Sequence, residues 1–512
     1  MIVGPAAVGG TGLLRLADKR GVEAVQTVGL PQIADVGGAP SSAGATRFAV
    51  PNSFQFARIA SCGMQTKVAA IAAACTLVLS GCGGTGESAQ SSPSAQPDAG
   101  GVAIHGDASA PVNQIAVKAI ADLQSYWDEQ FPKVYGTEYR PVSGGFYSVL
   151  PSHDSAPPCA QDVSEVSGNA FYCSTKDVVA WDAEGLLPEL QSKFGDFVIP
   201  IVFAHEWGHA VQARSNFTAR TVTKELQADC FAGGWARHAQ DAGVFTADAG
   251  ELDSALAGIL QLRDTPGTSK VDPSAHGSGF DRVGAFQDGY DNGVVKCKDY
   301  RDDEPVVLEL PFADAEDEAR GGDAPYDSIV NGVPYDLEDY WARVYPELTD
   351  GSPWVPVHGL QPFDPASPPS CGGKPAAGYV LFYCVPEDYI GWDNVETMPT
   401  VYRKGGDYAV ATLLATQYGL AAMERAHDKS DAKTQSLRGD CFAGSYTASV
   451  ILGNRSETSS YRISPGDLDE AITALLVFRG TDDATRQGAG YERVRHFRDG
   501  VINGAGSCLK DN

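Results

Sequence analysis

Basic residues are scarce in this chain. Its 512 residues carry 38 Lys and Arg against 65 Asp and Glu, a formal net charge of −27. That balance excludes electrostatic binding of nucleic acid or of an anionic membrane surface, since both need clustered positive charge. It suits a soluble body held outside a cell. Cysteine is sparse as well. Eleven cysteines in a chain this long are too few for a disulfide mini-scaffold, and the lack of tight CxxC pairs argues against a thiolate zinc site. The apolar run Val68–Leu79 is too short to be read as a membrane span. What remains is chain enough for roughly two to four domains with proper cores.

The apolar run has informative flanks. Met64-Gln65-Thr66-Lys67 precedes it, and Leu79-Ser80-Gly81-Cys82 follows. A short basic start, an apolar centre and a small-residue cleavage site make a signal peptide. Residues 64–82 resemble a bacterial lipoprotein signal, which implies cleavage before Cys82, a lipid on that cysteine, and an extracytoplasmic location on the cell membrane. Residues 1–63 show no sustained periodicity. The reading therefore places the translation start at Met64, with 1–63 upstream of it through a gene-start error. Residues 83–110, rich in Gly, Ser, Ala, Gln and Pro, read as a flexible tether.

The chemistry is concentrated in Val202-Phe203-Ala204-His205-Glu206-Trp207-Gly208-His209-Ala210-Val211. Two histidines four apart on a helix share a face and can grip one Zn²⁺, while Glu206 serves as general base on a water activated by that metal. Apolar or uncharged flanks put such a helix in a core rather than on a surface. A catalytic zinc site needs a third protein ligand and an open position. Glu225-Leu226-Gln227-Ala228-Asp229-Cys230 follows on a second helix, with Glu225 and Asp229 on one face.

Past residue 110 the chain repeats itself. Asp122, Tyr126 and Trp127 recur as Asp336, Tyr340 and Trp341. Phe171-Tyr172-Cys173 recurs as Phe382-Tyr383-Cys384, and Asp229-Cys230-Phe231-Ala232-Gly233 as Asp440-Cys441-Phe442-Ala443-Gly444. Arg282, Phe286, Gly289, Gly293 and Cys297 recur as Arg493, Phe497, Gly500, Gly504 and Cys508. From Cys173 to Cys230 and on to Cys297 the offset is 211 residues, as between Cys230 and Cys441. A period so long marks a duplicated domain, not a solenoid. The copies run over 111–299 and 325–512, joined by an acidic linker at 300–324 that suits exposed chain.

Each copy holds four cysteines, which behind an export signal read as disulfides. Four cysteines allow three pairings. The expected one is Cys159–Cys173 with Cys230–Cys297, and Cys371–Cys384 with Cys441–Cys508.

The second copy is a built-in control. His205 maps to Thr416, Glu206 to Gln417, His209 to Leu420 and Glu225 to Ser436. The metal site is lost, so one Zn²⁺ per chain is expected, in the first copy only. Asp229 survives as Asp440 although every ligand around it is gone. It therefore reads as a support for a metal-bound imidazole, and Glu225 as the third ligand. His276 maps to Gln487, which makes it a candidate donor to the oxyanion of the tetrahedral intermediate. The alternative for His276 is an ordinary loop histidine. Arg282, Trp207 and Trp235 read as fold residues.

Periodicity predicts helices over Ile115–Phe131, Leu187–Asn216, Val222–Gln240 and Glu251–Leu262, strands at Gly145–Leu150 and Ala170–Cys173, and a loop over Asp264–Ser278. The fold class is α+β and helix-dominated, built twice in tandem.

The HExxH stretch with Gln212, the Glu225–Gly233 segment, and the run His276-Gly277-Ser278 with Arg282, Phe286 and Gly289 resemble the neutral zinc metallopeptidase family of bacteria. The resemblance covers the first copy; the second shares the scaffold and departs at the site. It implies a zincin-like, gluzincin-type domain whose third ligand is the Glu of an ExxAD helix, here Glu225. The implied activity is hydrolysis of a peptide bond in a protein or peptide outside the membrane. Two other classes stay open: a binding or scaffolding lipoprotein with a vestigial metal site, and a peptidoglycan peptide hydrolase.

Overall fold

A computed structural model describes residues 101–510, apart from 306, 457–458, 460 and 479–483. The signal peptide, Cys82 and most of the tether lie outside the described residues.

The first copy opens with helix α1 (Pro111–Tyr135), followed by strands β1 (Gly145–Val149), β2 (Ala170–Cys173) and β3 (Val178–Asp182). Helices α2 (Leu186–Phe194), α3 (Val198–Ser215), α4 (Thr221–Asp241), α5 (Ala249–Gln261), α6 (Gly279–Asn292) and α7 (Val294–Cys297) complete it. The sheet order is β1-β3-β2, with β1 parallel and β2 antiparallel to β3. All five residues of β3 are buried, as a central strand covered on both faces requires.

After a short helix α8 (Ala315–Ala319) the plan is repeated. The second copy runs α9 (Tyr326–Leu348), β4 (Gly359–Phe363), a small hairpin of β5 (Ser370–Cys371) and β6 (Lys374–Pro375), then β7 (Leu381–Cys384) and β8 (Tyr389–Asp393). Helices α10 (Thr397–Gly405), α11 (Asp407–Arg425), α12 (Ala432–Ile451), α13 (Asp467–Val477), α14 (Ala484–Gln487) and α15 (Gly490–Asn503) follow. Its main sheet has the order β4-β8-β7 with the same parallel and antiparallel pairings.

Equivalent contacts recur in the two copies, with the 211-residue offset in the later helices and 214 in the first helix of each copy. A Cβ on Gly233 would strike the carbonyl oxygen of Phe286, and one on Gly444 that of Phe497. Gly289 and Gly500 meet the carbonyls of Cys230 and Cys441 in the same way. Glycine is needed at these positions because helices α4 and α6, and their partners α12 and α15, touch backbone to backbone. Trp127 meets Phe231 edge-on at 5.1 Å between ring centroids, and Trp341 meets Phe442 likewise at 5.1 Å. Asp122 accepts from Trp235 Nε1 (2.8 Å), and its counterpart Asp336 accepts from Tyr446 OH (2.7 Å). The described residues form a helix-dominated domain built twice.

The copies hold each other by exchanged caps. Asp253 of α5 accepts from Gly490 N (2.8 Å) and Tyr491 N (2.6 Å) at the start of α15. Reciprocally, Asp469 of α13 accepts from Phe280 N (2.8 Å) at the start of α6. Each aspartate satisfies backbone donors that a helix N-terminus leaves without partners. The arrangement is that of a two-fold dimer built into one chain.

Two expectations need correction. The predicted helix Leu187–Asn216 is two helices: Gly195 adopts φ +80° and Gly195–Phe197 separate α2 from α3. A residue without Cβ takes that conformation at little cost, and the chain turns there. The acidic linker is not simply exposed. Asp317 is buried, accepts from Ala313 N (2.8 Å) and Ser464 Oγ (2.8 Å), and so ties α8 to the second copy.

Four cysteine pairs lie at bonding distance: 159–173, 230–297, 371–384 and 441–508. Cys230–Cys297 staples α4 to α7, and Cys441–Cys508 does the same at the end of the second copy. Disulfides of this number belong to an oxidising, extracytoplasmic environment. Among the described residues no helix is long and apolar enough to cross a membrane.

Candidate metal centre

Helix α3 is apolar around most of its circumference, with Val198–Ala204 buried to the last residue. A helix of that kind belongs in a core, and it carries His205, Glu206 and His209 inside with it. Gly208 brings α4 close: a Cβ there would lie 2.5 Å from Ala228 Cα. Helix α4 contributes Glu225 and Asp229 from one face. Glu225 Oε2 lies 3.2 Å from His205 Nε2, and its Oε1 lies 3.4 Å from His209 Nε2. Those separations match the edge of a tetrahedron with metal–ligand bonds of about 2.0–2.1 Å, which is about 3.3 Å.

Both imidazoles are held from behind. His205 Nδ1 faces Asp229 Oδ1 at 2.7 Å. Asp229 also receives two bonds from the buried Arg282, Nε to Oδ2 (2.8 Å) and Nη2 to Oδ1 (2.9 Å). A carboxylate can only accept, so Nδ1 carries the proton and the Nε2 lone pair faces Glu225. His209 Nδ1 meets Gln212 Oε1 at 3.1 Å, while Gln212 Nε2 donates to the Lys224 carbonyl at 2.7 Å. That second bond fixes the amide with its oxygen toward His209.

The electrostatics ask for a cation. Glu206, Glu225 and Asp229 face one guanidinium, Arg282, among buried groups. Burial by itself would lower the His205 pKa, but Asp229 and Glu225 overcome it and push it up to about 10. Burial would raise the Glu225 carboxyl, yet the two histidines hold it well below the usual carboxylate range. Burial raises the Glu206 pKa, opposed by both imidazoles. Two imidazole nitrogens and a carboxylate crowded at 3.2–3.4 Å need positive charge between them, either protons or a metal. The donor set of two neutral imidazoles and one carboxylate fits a divalent ion of zinc type.

Glu206 is not part of that triad. Its Oε2 accepts from the backbone N–H of Tyr172 (2.7 Å) on β2, and it faces the same cleft of about 680 Å³. The cleft is lined on its apolar side by Phe171, Leu186, Val198, Ile201 and Val202, and it includes His276. His276 is half exposed. Its backbone N–H donates to Asp264 Oδ2 (2.8 Å), and its Nδ1 lies 3.3 Å from Asp264 Oδ1. The structure thus brings His205, Glu206, His209, Glu225, Asp229 and His276 to one cleft.

Gln212 was missed as a functional residue, although a signal existed. Its counterpart in the second copy is Met423, so it vanishes together with the histidines. Asp264, which positions the His276 loop, lies where the register between the copies slips, so it has no defined counterpart to compare. In the second copy Arg493 still clasps Asp440, with Nε 2.9 Å from Oδ2 and Nη2 3.0 Å from Oδ1. Asp440 persists because it carries this buried ion pair. Without a histidine beside it, burial raises the Asp440 pKa, whereas Arg282 and His205 outweigh burial at Asp229 and lower it.

The HExxH helix backed by an acidic helix makes a candidate metal cleft of zincin-like kind. Residues 59–300 match the family described as "Putative neutral zinc metallopeptidase". The chain is similar to the uncharacterized protein YpfJ of Escherichia coli (strain K12), 29% identical over 199 residues, covering 34% of this chain and 66% of that protein. It is also similar to the uncharacterized protein Rv2575 of Mycobacterium tuberculosis (strain H37Rv), 30% identical over 163 residues, 26% of this chain and 55% of that protein. The chain therefore spans just under two thirds of the first relative and about half of the second. No solved structure matches it significantly.

Proposed function

We propose that the chain is a zinc-dependent peptidase, with His205, His209 and Glu225 as metal ligands in the first copy and Glu206 as general base. The observation that carries this reading is the convergence of the triad on one point of an open cleft. Each imidazole there has its far nitrogen pinned by Asp229 or Gln212. Zn²⁺ held by these three residues supplies Lewis acidity toward water and toward a substrate carbonyl. Glu206, anchored through one oxygen by Tyr172 N–H, accepts a proton from water and returns it to the leaving amine. His276, on its Asp264-braced loop, donates to the oxyanion. The apolar wall of the cleft favours peptide substrates with apolar side chains next to the scissile bond.

The substrate is a protein or peptide outside the cytoplasm, and the chain is held at the membrane by lipid on Cys82 through the 83–110 tether. No nucleic acid is involved. The test is Glu206→Gln. Turnover of a casein or peptide substrate should drop by about 10²–10⁴-fold with zinc content unchanged. Undiminished turnover would reject the assignment, and cleavage of muropeptides but not of casein would redirect it to peptidoglycan.

A further inference from the structure

A second cluster of carboxylates lies at the start of α11, where the second copy has no catalytic residues. Asp407 is the first residue of that helix, Glu470 comes from α13, and Asp323 comes from the connector. One oxygen from each lies within 4.8 Å of the others. Ligand oxygens sharing one Ca²⁺ at about 2.3–2.6 Å are separated by no more than about that distance.

Helix capping accounts for only part of this. Asp407 N–H donates to Asp323 Oδ1 (3.2 Å), and Tyr408 N–H to Glu470 Oε2 (2.8 Å). Ala324 N–H donates to Asp407 Oδ2 (2.8 Å). The other Asp407 oxygen, in a residue only 2% exposed, accepts no hydrogen bond from a backbone or basic group and faces the Glu470 carboxyl. A fourth carboxylate, Asp467 on α13, is 2% exposed and also has an oxygen without a partner. Among the described residues no Lys or Arg pairs with any of the four. A helix N-terminus offers roughly half a positive charge, against four carboxylates.

The first copy shows what the fold itself requires. Glu251 there stands beside Gly195 as Glu470 stands beside Gly406, and so supplies the same cap. Asp196, the counterpart of Asp407, is exposed and accepts from Gln191 Nε2 at 2.8 Å. Burial of the aspartate and addition of Asp323 are thus features of the second copy and of the connector that only it receives. Asp407 also lines a cavity of about 460 Å³, which gives an ion a route in.

We propose that Asp323, Asp407 and Glu470, backed by Asp467, bind a hard divalent cation, Ca²⁺, that clamps the connector onto α11 and α13. All-oxygen donors exclude a preference for zinc. An extracytoplasmic chain meets calcium at the concentrations where weak sites of this kind fill, about 10⁻⁴–10⁻³ M. Asp469, which caps α6 of the first copy, is the neighbour of Glu470, so the clamp braces the packing between copies.

The test uses the full chain, loaded with zinc and freed of alkaline-earth ions over a chelating resin. Calcium at 5 mM should raise the thermal midpoint by about 2–4 °C, with magnesium giving less. Tb³⁺ should bind, with luminescence excited through nearby tyrosines, and calcium should displace it. Asp407→Asn and Glu470→Gln should each abolish both responses while being at least as stable as the parent chain without calcium, since each removes an uncompensated charge. A midpoint indifferent to calcium, an equal shift from magnesium, or a calcium shift that survives in both variants would overturn the proposal.

Discussion

Asp229 shows how much one side chain can be asked to do. It fixes the tautomer of His205 and neutralises Arg282 in the same buried spot, and its counterpart Asp440 keeps only the second duty. The two substitutions Asp229→Asn and Asp440→Asn should therefore part company. Each breaks a buried ion pair and should cost about 3–5 kcal/mol of stability, read by denaturant unfolding. Only Asp229→Asn should also weaken zinc binding, by about 10–100-fold in a competition titration with a chromogenic chelator. Equal zinc affinity in the two variants would mean that Asp229 does not position His205. At this scale the sequence was informative because the chain carries its own comparison. Residues lost together in the second copy (His205, Glu206, His209, Glu225) are those that meet at the cleft, and the retained Asp229 stands behind them. Gln212 could have been found by the same rule. Asp264 could not, since its role depends on how a loop folds back.

Among the elements, the helices that carry the motifs were legible because their apolar faces repeat with helical spacing. Strand β3, buried on both sides, and the break at Gly195 were not. A largely apolar run does not distinguish one long helix from two, and the turn is set by one glycine's φ. Helix α6 has a prediction of its own. Asp281, in its first turn, is buried beside Asp469 and Ser278. Burial, with Asp469 adding to it, pushes its pKa up to about 7. A carboxyl whose folded pKa lies above its unfolded value favours folding below about pH 4 and loses that contribution as the pH rises through about 7. The stability difference between the parent chain and Asp281→Asn should therefore shift against the parent over that window, measured as denaturant midpoints at stepped pH. A difference independent of pH would show that Asp281 is ionised throughout.

Across the whole molecule, the copies behave as a dimer fused by its connector. The 211-residue repeat predicted two similar bodies, but nothing in the repeat said that each would cap a helix of the other. Nor did the acidic composition of 300–324 say that Asp317 and Asp323 would be drawn into the second copy. Those contacts join residues far apart in sequence, and composition reports only local preference. The exchanged caps imply that the first copy depends on the second for stability, although the second keeps none of the first copy's metal-site residues. Deleting 325–512 should lower the unfolding midpoint of what remains, and Asp469→Ala in the full chain, which removes both the α6 cap and the Arg263 ion pair (3.0 Å), should reproduce part of that loss, at least about 1 kcal/mol. A truncated chain as stable as the full one would assign the second copy some other role.

The proposed site depends on one metal, in one copy, held by three named residues. Elemental analysis of the purified chain beside a Glu225→Ala variant tests that most directly. The prediction is about one zinc per chain, lost or greatly reduced in the variant. Two zincs per chain, or zinc retained in full by Glu225→Ala, would contradict it.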